Sequence, residues 1–255
     1  MKIILLTLAL FTFPFFLKAQ KIIPVERSPN LSSIGLKIIG EKNILTNKGL
    51  KSLNNLLQQH YIVPLKTDYL SQGFGISILQ KKGKILLNFD FESFSVHPQH
   101  KINASDTTPP SISGKKFKIA FLKKLFDKNR CYATSGLGLS VNAITLNQLD
   151  RQVVNSPFSS VFSTNTATYN RFNYSVEALL GITYRTQLFK SIFRDVDINA
   201  QTGYVFELKR SASKPQWSAS NSFRAVVPNV PNINLDNLFF QINFNFILKK
   251  GSSNT

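Results

Sequence analysis

The sequence predicts an all-β chain: an eight-stranded antiparallel transmembrane β-barrel with short periplasmic turns, long external loops and one amphipathic helix in the first loop. Three observations lead there. Apolar residues recur at every second position in eight separate segments, the period of a strand with one apolar face. The other face is mainly Gly, Ser, Asn and Asp, which suit a crowded interior better than a surface in bulk water. Long and short connections alternate along the chain, as they do when loops lie on one side of a membrane and turns on the other.

The segments follow in order. Ile34, Leu36 and Ile38 alternate with Ser33, Gly35 and Lys37. Phe74, Ile76 and Ile78 come next, then Ile85, Leu87, Phe89 and Phe91, with Asn88, Asp90 and Glu92 on the opposite face. Phe117, Ile119 and Phe121 alternate with Lys116, Lys118 and Ala120, and Leu137, Leu139 and Val141 with Gly136, Gly138, Ser140 and Asn142. The sixth segment runs from Val176 to Tyr184, the seventh from Val196 to Leu208 and the eighth from Leu238 to Leu248. Short connections lie at Gln80 to Gly83, Lys123 to Arg130 and Gln187 to Asp195; long ones at Glu41 to Leu70, Ser95 to Ser113, Thr145 to Arg171 and Lys209 to Asp236. A soluble sandwich or lipid-carrying barrel is the alternative, and a ten-stranded barrel that uses Gln216 to Val226 is the rival within the same class. The helix is expected from Asn47 to Gln59, with Leu50, Leu53, Leu56 and Leu57 on one face and Thr46 or Asn47 as cap. It reads as a lid across the barrel mouth or against the third and fourth loops, with an interfacial helix touching the outer leaflet or a partner protein as the alternative.

Composition sets the remaining bounds. The chain has 255 residues, 43% of them hydrophobic and 22 of them Phe, with 31 Lys+Arg against 13 Asp+Glu and a net charge of +18. That apolar content argues against wholesale disorder, and the single Cys131 excludes a disulfide framework. The basic excess alone fits nucleic acid, an anionic membrane surface or an acidic polysaccharide. The N-terminus narrows the choice: Lys2, the apolar run Ile3 to Phe16 and Ala19 before Gln20 have the layout of a cleaved export signal. An exported chain does not normally meet nucleic acid. The organisation expected is a signal peptide at 1–19, a periplasmic segment at 20–30, the barrel at 31–248 and a polar tail at 249–255.

From Gly35 onward the chain resembles small eight-stranded outer-membrane β-barrel proteins of Gram-negative bacteria, in its signal peptide, alternating strands, loop asymmetry and aromatic last strand Leu238 to Leu248. The resemblance implies residence in the outer membrane among its lipids, and assembly by the barrel-assembly machinery through an aromatic final-strand signal. That signal would fall on Phe240, Phe244 and Phe246. The polar tail Lys249 to Thr255 departs from the family pattern.

An eight-stranded barrel is narrow enough for side chains to fill, and its inward charges must pair, because unpaired buried ions cost several kcal/mol each. Glu92 should lie near Lys116 and Asp90 near Lys118, with Glu177, Arg185, Asp197 and Glu207 extending the lattice. The reading is a plugged lumen, with a structural or surface-interaction role exercised through the external loops on a surface protein or glycan. A narrow channel or small-solute porin is the alternative. A lipid-modifying enzyme is third, with His97 or His100 and Ser93, Ser95 or Asp106 as the residues to consider, but no spacing singles out a nucleophile. No catalytic residue, cofactor or metal site is assigned: His60 stands alone, and His97-Pro-Gln-His100 has no carboxylate or Cys within it. A basic periplasmic rim of Lys81, Lys82, Lys84, Lys123, Lys124, Lys128 and Arg130 gathers much of the positive charge beside anionic headgroups.

Overall fold

The computed structural model describes residues 33–45, 50–60, 62–80, 84–99, 110–128, 130–150, 166–188, 192–208, 217–219, 226–227 and 230–248. The wall is made of β1 (Ser33–Leu45), β2 (Asp68–Leu79), β3 (Ile85–Val96), β4 (Ser111–Lys128), β5 (Cys131–Asp150), β6 (Thr166–Thr186), β7 (Phe193–Glu207) and a last strand, β10 (Asn237–Leu248). Each pairs antiparallel with its neighbour in sequence; β10 closes the ring by pairing with both β1 and β7, and β5 with β6. The eight-stranded barrel read from the sequence is therefore the architecture observed.

Closure has a measurable stagger. Following partners around the wall from Phe172 passes through Ala143, Lys115, Ser93, Gln72, Gly40, Ile242 and Ala200, and returns to β6 at Ile182. The ring closes with a stagger of ten residues (172 to 182), which tilts the strands by about 40° and leaves an interior that side chains fill. Alternation then sorts the residues: the repeating apolar positions of the eight segments face outward, while most Asn, Ser, Thr and charged positions turn in, joined by a few apolar residues such as Leu86, Leu122 and Phe239.

The strands reach further at the loop end than the apolar alternation indicates. β1 continues to Leu45, β5 to Asp150, and β6 starts at Thr166. The outward positions there include Lys42, Gln72, Ser93 and Lys115, so the apolar alternation is interrupted while the hydrogen-bonded ladder goes on. The helix, α1, spans Lys51–Gln59 and not 47–59, and its N-cap is Leu50, with no side-chain cap. Its fastening lies elsewhere: the Asn54 amide bonds both ways with the backbone of Leu65, Nδ2 donating to the carbonyl at 3.0 Å and Oδ1 accepting from N–H at 2.9 Å. The region of the ten-stranded alternative does form a hairpin, β8 (Trp217–Ala219) with β9 (Val226–Val227). It pairs with β6 at Tyr169 and Asn170, beyond the end of β7, so it extends the wall upward without adding strands to the ring. The export signal at 1–19, the segment at 20–30 and the tail at 249–255 lie outside the described residues.

At Gly73 the wall leaves no space for a side chain: a Cβ there would lie 2.1 Å from the Phe91 carbonyl oxygen and 2.8 Å from the Glu92 Cα. Both contacts are backbone, so β2 and β3 would have to part. Gly73→Val is expected to lower barrel stability by about 1–3 kcal/mol, read as a lower urea midpoint for the folded species.

Candidate functional site

The lumen is filled in layers, each set by the register of the strands around it. At the turn end, Arg185 grips Asp197 through two bonds, Nε to Oδ1 at 2.7 Å and Nη2 to Oδ2 at 2.8 Å, and the Tyr132 hydroxyl donates to Oδ2 at 2.7 Å. Leu86 and Leu122 pack beside Tyr132. Above them lies a layer of amides and hydroxyls: Asn199 donates to Thr183 (2.6 Å), Asn243 to Asn199 (3.1 Å) and Ser77 to Asn245 (2.8 Å). A cavity of ≈ 20 Å³ remains there, room for about one or two waters.

The next layer holds the charge. Lys37 donates to Asp90 at 2.7 Å, and Lys116 to Glu41 at 2.9 Å. Lys116 also lies 3.5 Å from Glu92 and 3.6 Å from Glu177. Lys118 stands among all four carboxylates: Glu92 and Glu177 at 3.5 Å, Asp90 at 3.6 Å and Glu41 at 3.9 Å. The Phe239 ring, fully buried, faces both lysines, with centroids 5.8 and 5.6 Å from their Nζ atoms. Glu41, Asp90, Glu92 and Glu177 thus oppose Lys37, Lys116 and Lys118, leaving one carboxylate in excess within this cluster.

Over the cluster sits an apolar seal. Leu50, Leu53 and Leu57 of α1 pack with Leu45, Phe94, Val96, Ile112, Ile144, Leu146 and Tyr169 of the wall, and with Trp217, Val230, Ile233 and Leu235 of the fourth loop. The loop is held down by charge: Arg171 pairs with Glu207 and donates to the Ile233 carbonyl, while Glu207 accepts from the Leu235 N–H at 2.7 Å. The Trp217 indole donates to the Pro231 carbonyl at 3.0 Å.

The eight charged residues singled out in the sequence all face inward, but in three separate groups. Asp90, Glu92, Lys116, Lys118 and Glu177 meet in the central cluster; Arg185–Asp197 closes the turn end; and Glu207 pairs with Arg171 near the mouth. Glu92–Lys116 and Asp90–Lys118 are register partners on β3 and β4. Sequence reasoning missed Lys37, Glu41 and Arg171. Lys37 was visible on an inward face, but its partner lies two strands away on β3; Glu41 and Arg171 fall in stretches that the sequence reads as long connections. Phe240 and Phe244 face outward, and Phe246 packs on Phe193 with ring centroids 5.0 Å apart. At the turn end Lys84, Lys123 and Lys128 are exposed, Lys124 lies over the Tyr132 ring at 4.0 Å, and Arg130 accepts from the Arg185 N–H through its carbonyl; Lys81 and Lys82 fall outside the described residues. Ser93 and Ser95 are on the outer wall and His97 is exposed beyond β3. His100 and Asp106 are not among the described residues.

No family model matches the chain, and no curated protein matches it. Among solved structures it is similar to Neisserial surface protein A (8% identity, TM-score 0.42, covering 86% of this chain and 97% of that one). It is also similar to the outer membrane protein OprG from Pseudomonas aeruginosa (9% identity, TM-score 0.44, 87% and 98%). A third likeness is to Ail, the attachment invasion locus protein of Yersinia pestis (8% identity, TM-score 0.36, 85% and 97%).

The excess carboxylate makes the cluster asymmetric to substitution. Lys118→Met removes the charge all four acids share and is expected to cost about 3–5 kcal/mol, whereas Glu177→Gln removes the excess and should cost clearly less; urea titration of the folded species compares them. Glu207→Ala takes away the acceptor for Leu235 and the partner of Arg171. Limited proteolysis of the 208–236 segment should then quicken about tenfold, the equivalent of ~1.4 kcal/mol in local opening.

Proposed function

We propose that this chain is an integral outer-membrane protein whose plugged lumen is structural and whose external loops form its interaction surface. The observation that carries this is the outer wall. Around the whole ring the exposed positions are large apolar residues, among them Phe74 (66% exposed), Ile182 (62%) and Leu137 (60%). Water-soluble monomers rarely expose contiguous apolar patches beyond a few hundred Å², whereas here the entire circumference is apolar. On β4 the outward run Phe117, Ile119, Phe121 is bracketed by Lys115 and Lys123. At 3.3 Å per residue and a tilt near 40° these lysines stand about 20 Å apart along the axis, close to the height of an apolar band in such barrels. Among the described residues no helix is long and apolar enough to cross a membrane.

On this reading residues 1–19 direct export, and the outward Phe240 and Phe244, with Phe246, present the last strand to the barrel-assembly machinery. The lumen favours a plug over a pore. The Arg185–Asp197 pair, the ion cluster and the apolar seal lie one above another, and a channel would have to displace all three. Function then falls to the loop end, where α1, the β8–β9 hairpin and the fourth loop present a surface to a protein or glycan partner. The role is one of binding and not of catalysis.

Two measurements test this. The folded chain is expected to fractionate with outer membranes and to migrate faster on a gel before heating than after it; a soluble periplasmic species would refute the membrane reading. In planar bilayers the purified protein should give no large, stable conductance; a persistent open pore would replace the plug with the channel reading.

A further inference from the structure

The turn end of the barrel is uneven. The β2–β3 connection leaves the wall at Leu79 and Ile85, whereas β4 continues to Lys128, and β6 and β7 run to Thr186 and from Phe193. The two longer hairpins are adjacent: Cys131 pairs with Tyr184, and the Arg185 N–H donates to the Arg130 carbonyl at 2.7 Å. Together they form a lip that projects past the rest of the rim.

A β-bulge decides what this lip displays. The β4–β5 register shifts between Lys124, opposite Thr134, and Phe126, opposite Ala133. Leu125 is the extra residue, and such an insertion exchanges the two faces of a strand from that point on. Without it, Phe126 and Lys128 would follow Leu122 and Lys124 into the lumen. With it, Phe126 joins the face of Ala133 and Ile182 on the outer wall, and Lys128 that of Cys131. The outer wall of β4 therefore ends Lys123, Leu125, Phe126, Lys128: two apolar groups between two exposed ammonium groups. Leu125 is 59% exposed, and on the neighbouring turn Ile192 is 65% exposed, next to the half-exposed guanidinium of Arg194.

We propose that this lip docks an anionic phospholipid of the periplasmic leaflet, its phosphate held by Lys123 and Lys128, its glycerol end resting on Leu125, Phe126 and Ile192, and its acyl chains lying along the column of Phe121, Ile119 and Phe117. The inference rests on the membrane reading above. Two features favour lipid over a protein partner: the apolar residues extend the outward column of Phe117, Ile119 and Phe121 beyond Lys123, and the charges beside them are basic, the complement of a phosphate diester.

The test uses the mature chain folded in neutral detergent and offered equimolar phosphatidylglycerol and phosphatidylcholine, with retained lipid counted by native mass spectrometry. Phosphatidylglycerol should be retained preferentially, and the preference should fall about fivefold for each lysine removed in Lys123→Gln/Lys128→Gln. Lys115→Gln, at the opposite end of the same strand face, should leave it unchanged. If the double variant does not fold, the single variants carry the same expectation. Equal retention of both lipids by the folded wild type overturns the proposal, as does an undiminished preference in the lysine variants. Binding of polyglutamate but of neither lipid overturns it in favour of an acidic protein. A wild type without heat-modifiable migration defeats the barrel reading and the lip with it, whereas the preceding outcomes defeat the lip alone.

Discussion

Ring closure with a ten-residue stagger is the constraint from which the rest of the structure follows. It fixes the tilt and thereby the bore, and the bore admits inward side chains and little else. The inward residues cannot be hydrated as they would be on a surface, so each charge needs a partner across the lumen. Lys37 reaches from β1 to β3, Lys116 from β4 to β1, and Lys118 lies among carboxylates from β1, β3 and β6. Apart from those between Lys118 and β3, these contacts tie together strands that share no backbone hydrogen bonds. The ion cluster is best understood as a brace across a ring whose circumference is set by the ladder.

The same constraint explains what was legible in the sequence. Period-two apolar alternation exposes strand number, order and inward face, because the outer wall must be apolar at every outward position and the bore tolerates small or polar groups. Asp90–Lys118 and Glu92–Lys116 were readable because β3 and β4 are antiparallel neighbours in sequence order whose inward residues carry opposite charge, although a long connection joins them. Strand ends at the loop side were not readable: beyond Gly40 and Lys115 the next outward residues, Lys42 and Ser113, are polar, so the alternation is interrupted although β1 and β4 go on. Contacts across the bore, such as Lys37–Asp90 and Lys116–Glu41, depend on the stagger, and no local pattern encodes that number. The helix start was misplaced for a related reason. Thr46 and Asn47 are good caps by composition, but α1 is fixed from its middle, by Asn54 on Leu65 and by three leucines in the seal.

The bulge on β4 shows how little sequence is needed to redirect a wall. One extra residue, Leu125, exchanges the faces of everything after it. Read with strict alternation, Lys123 to Lys128 is a basic turn; read with the bulge, it becomes an outward ladder of alternating charge and apolar surface. The basic rim inferred from composition is thus two different things. Lys124 turns inward over the Tyr132 ring, where it belongs to the bottom of the lumen, while Lys123 and Lys128 face out.

The order of the layers also bears on what such a barrel can do. A polar species entering from the loop end meets the apolar seal first, where it loses hydration and gains no partner, and only then the ion cluster. An apolar species could enter the seal but would next meet seven charged side chains, Glu41, Asp90, Glu92, Glu177, Lys37, Lys116 and Lys118, already engaged with one another. On the proposed plug reading each layer excludes what the other admits, so the two in series would reject a wider range of solutes than either alone. Opening the mouth would also require releasing Glu207, which binds both Arg171 and the Leu235 backbone, together with the leucines of α1. A fold invested in this way at its axis has its adaptable surfaces elsewhere: at the loop end, where the strands outrun the apolar band, and at the projecting lip of the turn end, where the bulge has turned a lysine and a phenylalanine outward.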